Sequence, residues 1–297
     1  MYVIEILVPV IFIILLGYVA NFFLKMDVSA PSRLTLYILL PALVFNSLYT
    51  SATTSAEFIM LFCFLALFTA LMVGLITAVG AVFALDRKDR SALVLASTFG
   101  NTGYLGSPII LFALGQQGFE RALLYMVCQQ FFMFTVGVFY AASSKNSVRR
   151  SLLGVLRMPS LYAAVLAYLL RSAGLSIPPV LYKGISMMAG AALPVMLLIM
   201  GMQFHALSAG FSKKTMALGT AMKLVIAPLL AYGLVFLLPV ERELSSVLVL
   251  QTAMPTAMNI ALVSMEYDAA PDVVCGTAML STVLCPLTLS ILLWLLL

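Results

Sequence analysis

Apolar runs long enough to cross a bilayer follow one another along nearly the whole chain, at 2–24, 33–51, 58–84, 91–114, 119–142, 158–175, 180–203, 215–238, 244–266 and 273–296. A hydrocarbon core takes about 20 residues of helix, and backbone inside it must satisfy its own N–H and C=O groups. The predicted fold is therefore an all-α integral membrane protein of ten transmembrane helices, with the lipid bilayer as its surroundings. Composition agrees, because 9% of the residues are charged against about 25% in soluble domains. A net charge of +5 does not point to nucleic acid, since the basic residues sit in short gaps between the runs and read as topology signals. No gap is long enough for a soluble domain. The first run lacks a basic leader and a small-residue cleavage site, so it is expected to be a retained span. Cys63, Cys128, Cys275 and Cys285 all lie inside apolar runs and read as small buried hydrophobes.

Two of these runs are badly composed for a plain helix. The fourth contains Ser97-Thr98-Phe99-Gly100-Asn101-Thr102-Gly103-Tyr104-Leu105-Gly106-Ser107-Pro108, and the ninth contains Gln251-Thr252-Ala253-Met254-Pro255-Thr256-Ala257-Met258-Asn259. A break at mid-membrane survives only against protein or a polar cavity. Interrupted helices at matching places in two halves are the best sequence pointer to a transporter's binding site. The spacing predicts that both spans break near the midplane and cross there. Each second half is expected to begin close to a proline, Pro108 or Pro255, a residue suited to the first helical turn. Two helix N-termini would then face the crossing, which favours an anion. Asn101, Thr102, Gly103, Pro108, Gln251, Pro255, Thr256 and Asn259 are the candidate substrate-binding residues. Thr98, Asn101 and Gln251 form a candidate sodium site. A proline kink patched by neighbouring side chains is the structural alternative.

The gap 143–157 divides the runs five and five, and its Lys145–Arg157 stretch is a candidate amphipathic surface helix. Residues 1–142 and 158–297 are expected to form two repeats, with 143–157 as a cytoplasmic linker. Five is odd, so the second half enters from the opposite face and the repeat is inverted. Pro9 and Pro159, and Pro41 and Pro194, fall at corresponding places. Counting Lys and Arg in short loops puts eleven on one face, including Lys25, Arg33, Arg87, Lys88, Arg90 and Lys214, against Arg121, Arg171, Lys183 and Arg242 on the other. The richer face is expected to be cytoplasmic. Both termini then lie in the periplasm or outside the cell, in a plasma membrane or bacterial inner membrane.

Lys223 falls within the eighth run, and an intramembrane ammonium needs a partner. It is a candidate for attracting the anion from the cytoplasmic side, with snorkelling to the interface as the alternative. Asn46 and the pair Gln129-Gln130 are candidates to border the cavity, though helix–helix hydrogen bonding accounts for them equally. Glu5 and Glu266 lie near run ends and read as interfacial. His205 is assigned no role. The chain lacks His-Glu-x-x-His, Gly-x-Ser-x-Gly and the phosphate-loop motif, so it is not expected to be an enzyme or an ATP-driven pump. No cofactor is expected.

Leu39-Leu40-Pro41-Ala42-Leu43-Val44-Phe45, Gly100 through Pro108, Ala192-Leu193-Pro194 through Gly201-Met202-Gln203, and Met254-Pro255-Thr256-Ala257 resemble the auxin efflux carrier family of permeases. The resemblance covers essentially the whole chain, and the long cytoplasmic loop of many plant members is missing. It implies ten spans in two inverted repeats, a scaffold and a transport domain, crossed broken helices at spans four and nine, elevator-type motion and often a homodimer. The family's crossover asparagine and proline fall on Asn101 and Pro108, and its second crossover proline on Pro255. Thr256-Ala257-Met258-Asn259 departs from the plant pattern, which counts against auxin itself. The expected function is secondary transport of a small organic anion, such as a carboxylate or indole acid. A sodium-coupled symporter and an anion channel are the alternatives. The crossover stretches carry no Asp or Glu, which ranks uncoupled, potential-driven movement first, sodium coupling second and proton coupling third.

Overall fold

A computed structural model describes residues 2–51, 53–141, 158–206 and 213–296. Among them there is no strand, and the helices are α1 (Tyr2–Leu24), α2 (Ser29–Leu34), α3 (Leu40–Thr50), α4 (Ser55–Val82), α5 (Arg87–Thr98), α6 (Ser107–Phe132), α7 (Val138–Ala141), α8 (Pro159–Ser172), α9 (Pro179–Ala206), α10 (Lys213–Ala221), α11 (Ala227–Leu237), α12 (Arg242–Ala253), α13 (Asn259–Glu266) and α14 (Pro271–Leu296). Seven helical stretches are long and apolar enough to span a membrane: Val3–Leu24, Ser29–Thr50, Ser55–Val82, Thr102–Ala141, Pro179–Phe204, Lys214–Leu237 and Pro271–Leu296. The chain is thus an all-α membrane protein. The 40-residue stretch is divided at Gly115, whose φ of +69° lies in the left-handed region that favours glycine. At 14 residues, α8 reaches only about 21 Å at helical rise. The expected fourth and ninth spans are interrupted, as α5 followed by helix from Thr102, and α12 followed by α13. The linker residues 143–157 lie outside the described residues, and so does the side chain of His205.

Wide π turns join several helices, and prolines explain three of them. Thr35–Leu39, Thr102–Gly106 and Met222–Ile226 each end two residues before a proline, Pro41, Pro108 and Pro228. A proline donates no N–H and its ring pushes away the carbonyl four residues back, so the turn before it widens. The fourth, Met133–Gly137, has no proline. There Thr135 Oγ1 donates to the Phe131 carbonyl at 2.8 Å, a back-bond that bends helices.

The chain forms two compact units. The first holds Met1–Phe58, Gly103–Val127 and Arg157–Leu207. Within it α1 packs along α9, and α3 packs on α8 and α9. The α1–α9 contact is made by glycine: a Cβ built on Gly17 would overlap the Leu198 carbonyl, and one on Gly201 the Ile14 carbonyl. Small residues at such a seam let two membrane helices approach closely. Asn21 seals one end, donating to the Met202 carbonyl at 3.1 Å and accepting from the Met26 N–H at 2.8 Å. The outer face of α1 (Ile4, Val8, Phe12, Leu15, Phe23) is exposed, as a lipid-facing surface requires. Polar groups gather at chain turns. The Arg171 guanidinium donates to the carbonyls of Ser51 at 2.5 Å and Thr53 at 2.7 Å, and Arg121 pairs with Glu57 at 2.6 Å.

The second unit holds Ile59–Thr102, Cys128–Leu156 and Ser208–Leu297. Here α5, α10, α12 and α14 pack together. Asp86 caps α5, accepting the Asp89 N–H at 2.7 Å, and an Ncap carboxylate stabilises the helix start. From Ser91 to Thr98 in α5, and from Ser246 to Ala253 in α12, every residue is buried. A helix end buried on all sides belongs to the interior of a bundle. Two such ends therefore bring the interrupted backbone into the middle of this unit.

Candidate functional site

Helix α5 stops at Thr98, because Phe99 turns to extended geometry at φ −105°, ψ 116°. Likewise α12 stops at Ala253, with Met254 at φ −60°, ψ 145°. The two extended pieces pair antiparallel, Gly100 opposite Thr256. The Asn101 N–H donates to the Pro255 carbonyl at 2.6 Å, and the Ala257 N–H donates to the Phe99 carbonyl at 3.3 Å. Each break thus supplies partners the other lost by leaving its helix, which is how non-helical backbone survives at membrane depth. The two interrupted backbones meet within the second unit, at the bridge of Gly100 and Thr256.

The positions of the two prolines differ from the expectation. Helical geometry resumes at Thr102 as a π turn that runs into α6, so Pro108, the second residue of α6, lies six residues past the point of resumption. Its missing N–H is absorbed by the widened turn described above, and the break falls instead on Phe99-Gly100-Asn101. Pro255 lies in the extended piece itself, and α13 begins only at Asn259. A residue that must be extended and needs no donor suits proline.

Side chains finish the accounting. Gln129 holds both sides of Gly100: its Oε1 accepts the Gly100 N–H at 3.2 Å, and its Nε2 donates to the Gly100 carbonyl at 2.8 Å and to Thr102 Oγ1 at 3.0 Å. Gln251 Nε2 donates to the Thr102 carbonyl at 3.4 Å. Thr256 Oγ1 donates to the Ala96 carbonyl at 2.6 Å, one of the last carbonyls of α5, and its N–H donates to Ser281 Oγ at 3.1 Å. Ser97 Oγ donates to the Gly219 carbonyl at 3.2 Å. Gly219 also packs closely on Thr277, since a Cβ on it would stand 2.9 Å from Thr277 Oγ1.

Lys223 is drawn into the same place from the π turn Met222–Ile226. Its side chain is 0% exposed, which removes the snorkelling alternative. The ammonium donates to the Thr252 carbonyl at 3.0 Å. A methyl group built on Gly100 would lie 3.1 Å from Lys223 Nζ, 3.1 Å from the Met254 carbonyl oxygen and 3.4 Å from that of Gln251. Gly100 is therefore a position of close approach, where an added side chain would force its neighbours to shift. The ion pairs of Lys88 with Asp268 and of Arg121 with Glu57 do not involve Lys223.

Of the candidate residues, Thr98, Asn101, Thr102, Gln251, Pro255 and Thr256 are buried in the second unit together with Lys223. Thr98 Oγ1 is buried without a hydrogen-bond partner among the described residues. Asn259 opens α13 and is exposed. Asn46, Gly103 and Pro108 belong to the first unit. There Asn46 Oδ1 is buried without a partner among the described residues, and a Cβ on Gly103 would stand 2.9 Å from Met126 Sδ. Gln129, which the sequence reading offered as a residue bordering the cavity or bonding helix to helix, holds the backbone of Gly100, and Ser281 is a participant that the reading did not single out. The signal for Gln129 was an amide in an apolar run, which generic helix–helix bonding explains equally. Ser281 carried no signal.

Two buried half-helices that end head-on, with paired extended breaks between them, define a membrane transporter rather than an enzyme. The chain belongs to the Membrane transport protein family, whose model matches residues 2–295, and this is the auxin efflux carrier family that its motifs resemble. It is 26% identical over 286 residues to an uncharacterized transporter of Methanothermobacter thermautotrophicus, covering 94% of each chain. It is also 22% identical over 304 residues to an uncharacterized transporter of Methanocaldococcus jannaschii, covering 99% of this chain and 98% of the relative.

Proposed function

We propose that this transporter carries a small organic anion, such as a carboxylate or indole acid, bound beside the crossing of the two broken helices. The observation that carries the reading is a buried pair of extended breaks joined at Gly100 and Thr256 with the Lys223 ammonium at its side and, among the described residues, no carboxylate paired with it. Helices leaving the breaks at Thr102 and Asn259 start with N–H groups that have no intrahelical partner, and Asn101 and Thr256 line the backbone from which they leave. The reading includes ten spans, counting α8 and each interrupted pair as one. It arranges residues 1–142 and 158–297 as inverted repeats. The basic loops face the cytoplasm, both termini face outward, and the membrane is the plasma membrane. Alternating access of elevator type and a homodimer complete it.

Without an acidic residue at the crossing, a proton has no carboxylate to ride on. An anion leaving a cell with a negative interior gains about 2.3 kcal/mol per charge for each 100 mV. Export on the membrane potential alone follows, with sodium coupling as the second reading because Thr98 and the freed carbonyls are oxygen donors.

The test starts with a thermal-shift screen of mono- and dicarboxylates, indole acids and amino acids on the purified protein. The best stabiliser is then followed in proteoliposomes. Wild-type protein should show saturable flux and counterflow, and Asn101→Ala and Pro255→Ala should each reduce it about tenfold or more while remaining folded. Wild-type flux in both variants would move the site elsewhere, and unitary currents in a planar bilayer would make the protein a channel.

A further inference from the structure

We infer that the Lys223 ammonium is a built-in cation that occupies the place of a coupling ion, so that this crossing needs no sodium and acquires a monovalent-cation site when Lys223 is neutralised. The inference rests on the crossing being the transport site. Two observations place the ammonium among acceptors of the kind a bare cation takes. It donates to the carbonyl of Thr252 at 3.0 Å. Nζ shares one spot with the carbonyl oxygens of Met254 and Gln251, since a Cβ built on Gly100 would stand 3.1, 3.1 and 3.4 Å from the three atoms. The Thr252 carbonyl belongs to the last turn of α12, where carbonyls lack an onward helical donor and carry partial negative charge, while that of Gln251 also takes the Met254 N–H at 3.4 Å.

An ammonium and a dehydrated sodium ion make the same demand on such a place, namely carbonyl oxygens around one positive charge. Lys223 is anchored to α10 and α11 through the widened turn before Pro228, so its charge cannot leave. No carboxylate pairs with it among the described residues, which leaves the helix end as its counter-charge. A cavity fitted around Nζ and stripped of that charge would keep the carbonyls and lose their partner. Unsatisfied carbonyls in a buried site are costly, and a small cation from solution is the simplest replacement.

The experiment compares wild type with Lys223→Met and Lys223→Gln, each purified in sodium chloride, lithium chloride or choline chloride and read by thermal unfolding and size-exclusion profile. Wild type should have the same midpoint in all three salts. The neutral variants should be less stable in choline, and should recover by roughly 5 °C or more as sodium or lithium is raised into the millimolar range. Lys223→Arg, which keeps the charge, should remain indifferent to salt. Variants that are monodisperse only in sodium or lithium support the inference equally. Midpoints of the neutral variants that do not respond to the cation, variants that collapse in every salt, or a wild type already stabilised by sodium over choline would overturn it. These readouts need no substrate. A wrong transport site would appear instead as unchanged flux in Asn101→Ala and Pro255→Ala, with the salt response of the Lys223 variants intact.

Discussion

The α1–α9 seam of the first unit and the crossing of the second solve the same problem by opposite means. Both bring backbone close to backbone inside an apolar protein. At the seam the helices run on unbroken through Pro9 and Pro194, and closeness comes from removing side chains at Gly17 and Gly201. At the crossing the helices are broken, and closeness is enforced by hydrogen bonds from Gln129, Thr256 and the opposite break. The seam is made of glycine against backbone carbonyl. Its polar residue, Asn21, is spent on the Met202 carbonyl and the Met26 N–H. The crossing concentrates polar groups and holds the fully buried Lys223. The difference separates a packing surface from a binding surface.

Breaking the seam should have the largest effect. Gly201→Leu drives a side chain into the Ile14 carbonyl, a backbone atom that cannot swing aside, and overpacking costs 1–3 kcal/mol or more. The expected outcome is little or no folded protein in a detergent extract by fluorescence-detected size exclusion. Gly190→Ala, on the same helix where an added Cβ meets nothing within 4 Å, should leave the profile unchanged. Equal behaviour of the two variants would mean that α9 does not meet α1 through this face.

Gln129→Leu comes next, because it strips the N–H and the carbonyl of Gly100 at once. Each buried group left unpaired costs about 1–3 kcal/mol, so the unfolding midpoint should fall by roughly 5–15 °C. Flux should fall with it. Gln129→Glu, which retains acceptors but loses the amide donor, should not restore either quantity. A Gln129→Leu variant with the wild-type midpoint would show that the amide is not what holds the break.

Thr256→Val is a smaller perturbation of the same place, removing one hydroxyl bond to the Ala96 carbonyl. A loss of about 1–2 kcal/mol is expected, read as a midpoint shift of a few degrees, with transport weakened less than in Asn101→Ala. An unshifted midpoint would mean that the end of α5 does not depend on this hydroxyl.

The smallest effect lies outside both regions. Asp27 accepts the Ser29 N–H at 2.9 Å at the start of α2, and that bond lowers its pKa below the usual carboxylate range. A depressed folded-state pKa stabilises above the unfolded value and ceases to do so as pH falls through the folded one. Wild type should therefore lose a small midpoint advantage over Asp27→Asn on acidification below about pH 4, and keep it at neutral pH. An advantage that grows on acidification would contradict the bond.

The sequence announced the crossing through residues that a lipid-embedded helix avoids. Three glycines, a proline and an asparagine in one run, and Pro255 flanked by threonines in another, had no better explanation than broken backbone. Where the first break falls was not legible. Pro108 stood out as the breaker, yet a proline can be absorbed by one wide turn, whereas Phe99-Gly100-Asn101 breaks because the opposite strand and Gln129 offer it partners. Those partners lie in other runs, and no local pattern reveals them. Lys223 was legible as a misfit and not as a ligand of carbonyls, because the end of α12 that receives it is distant in the chain. The glycine seam was equally silent, since Gly17 and Gly201 look like their neighbours Gly184 and Gly190 until the facing helix is placed.

The pairing of Asn101 with Pro255 and of Phe99 with Ala257 has a consequence for how the protein is made. A ribosome delivers the first break to the membrane long before the second exists. Until residues 255–257 arrive, the amide of Asn101 and the carbonyl of Phe99 lack their partners, and hydrocarbon offers none. The newly inserted first half must therefore wait in a wet or protein-lined place, the insertion machinery or its rim, and complete its entry only with the second half. A polypeptide truncated after Ala141 should be retained there or degraded, and co-expressing the missing half as a separate chain should rescue it.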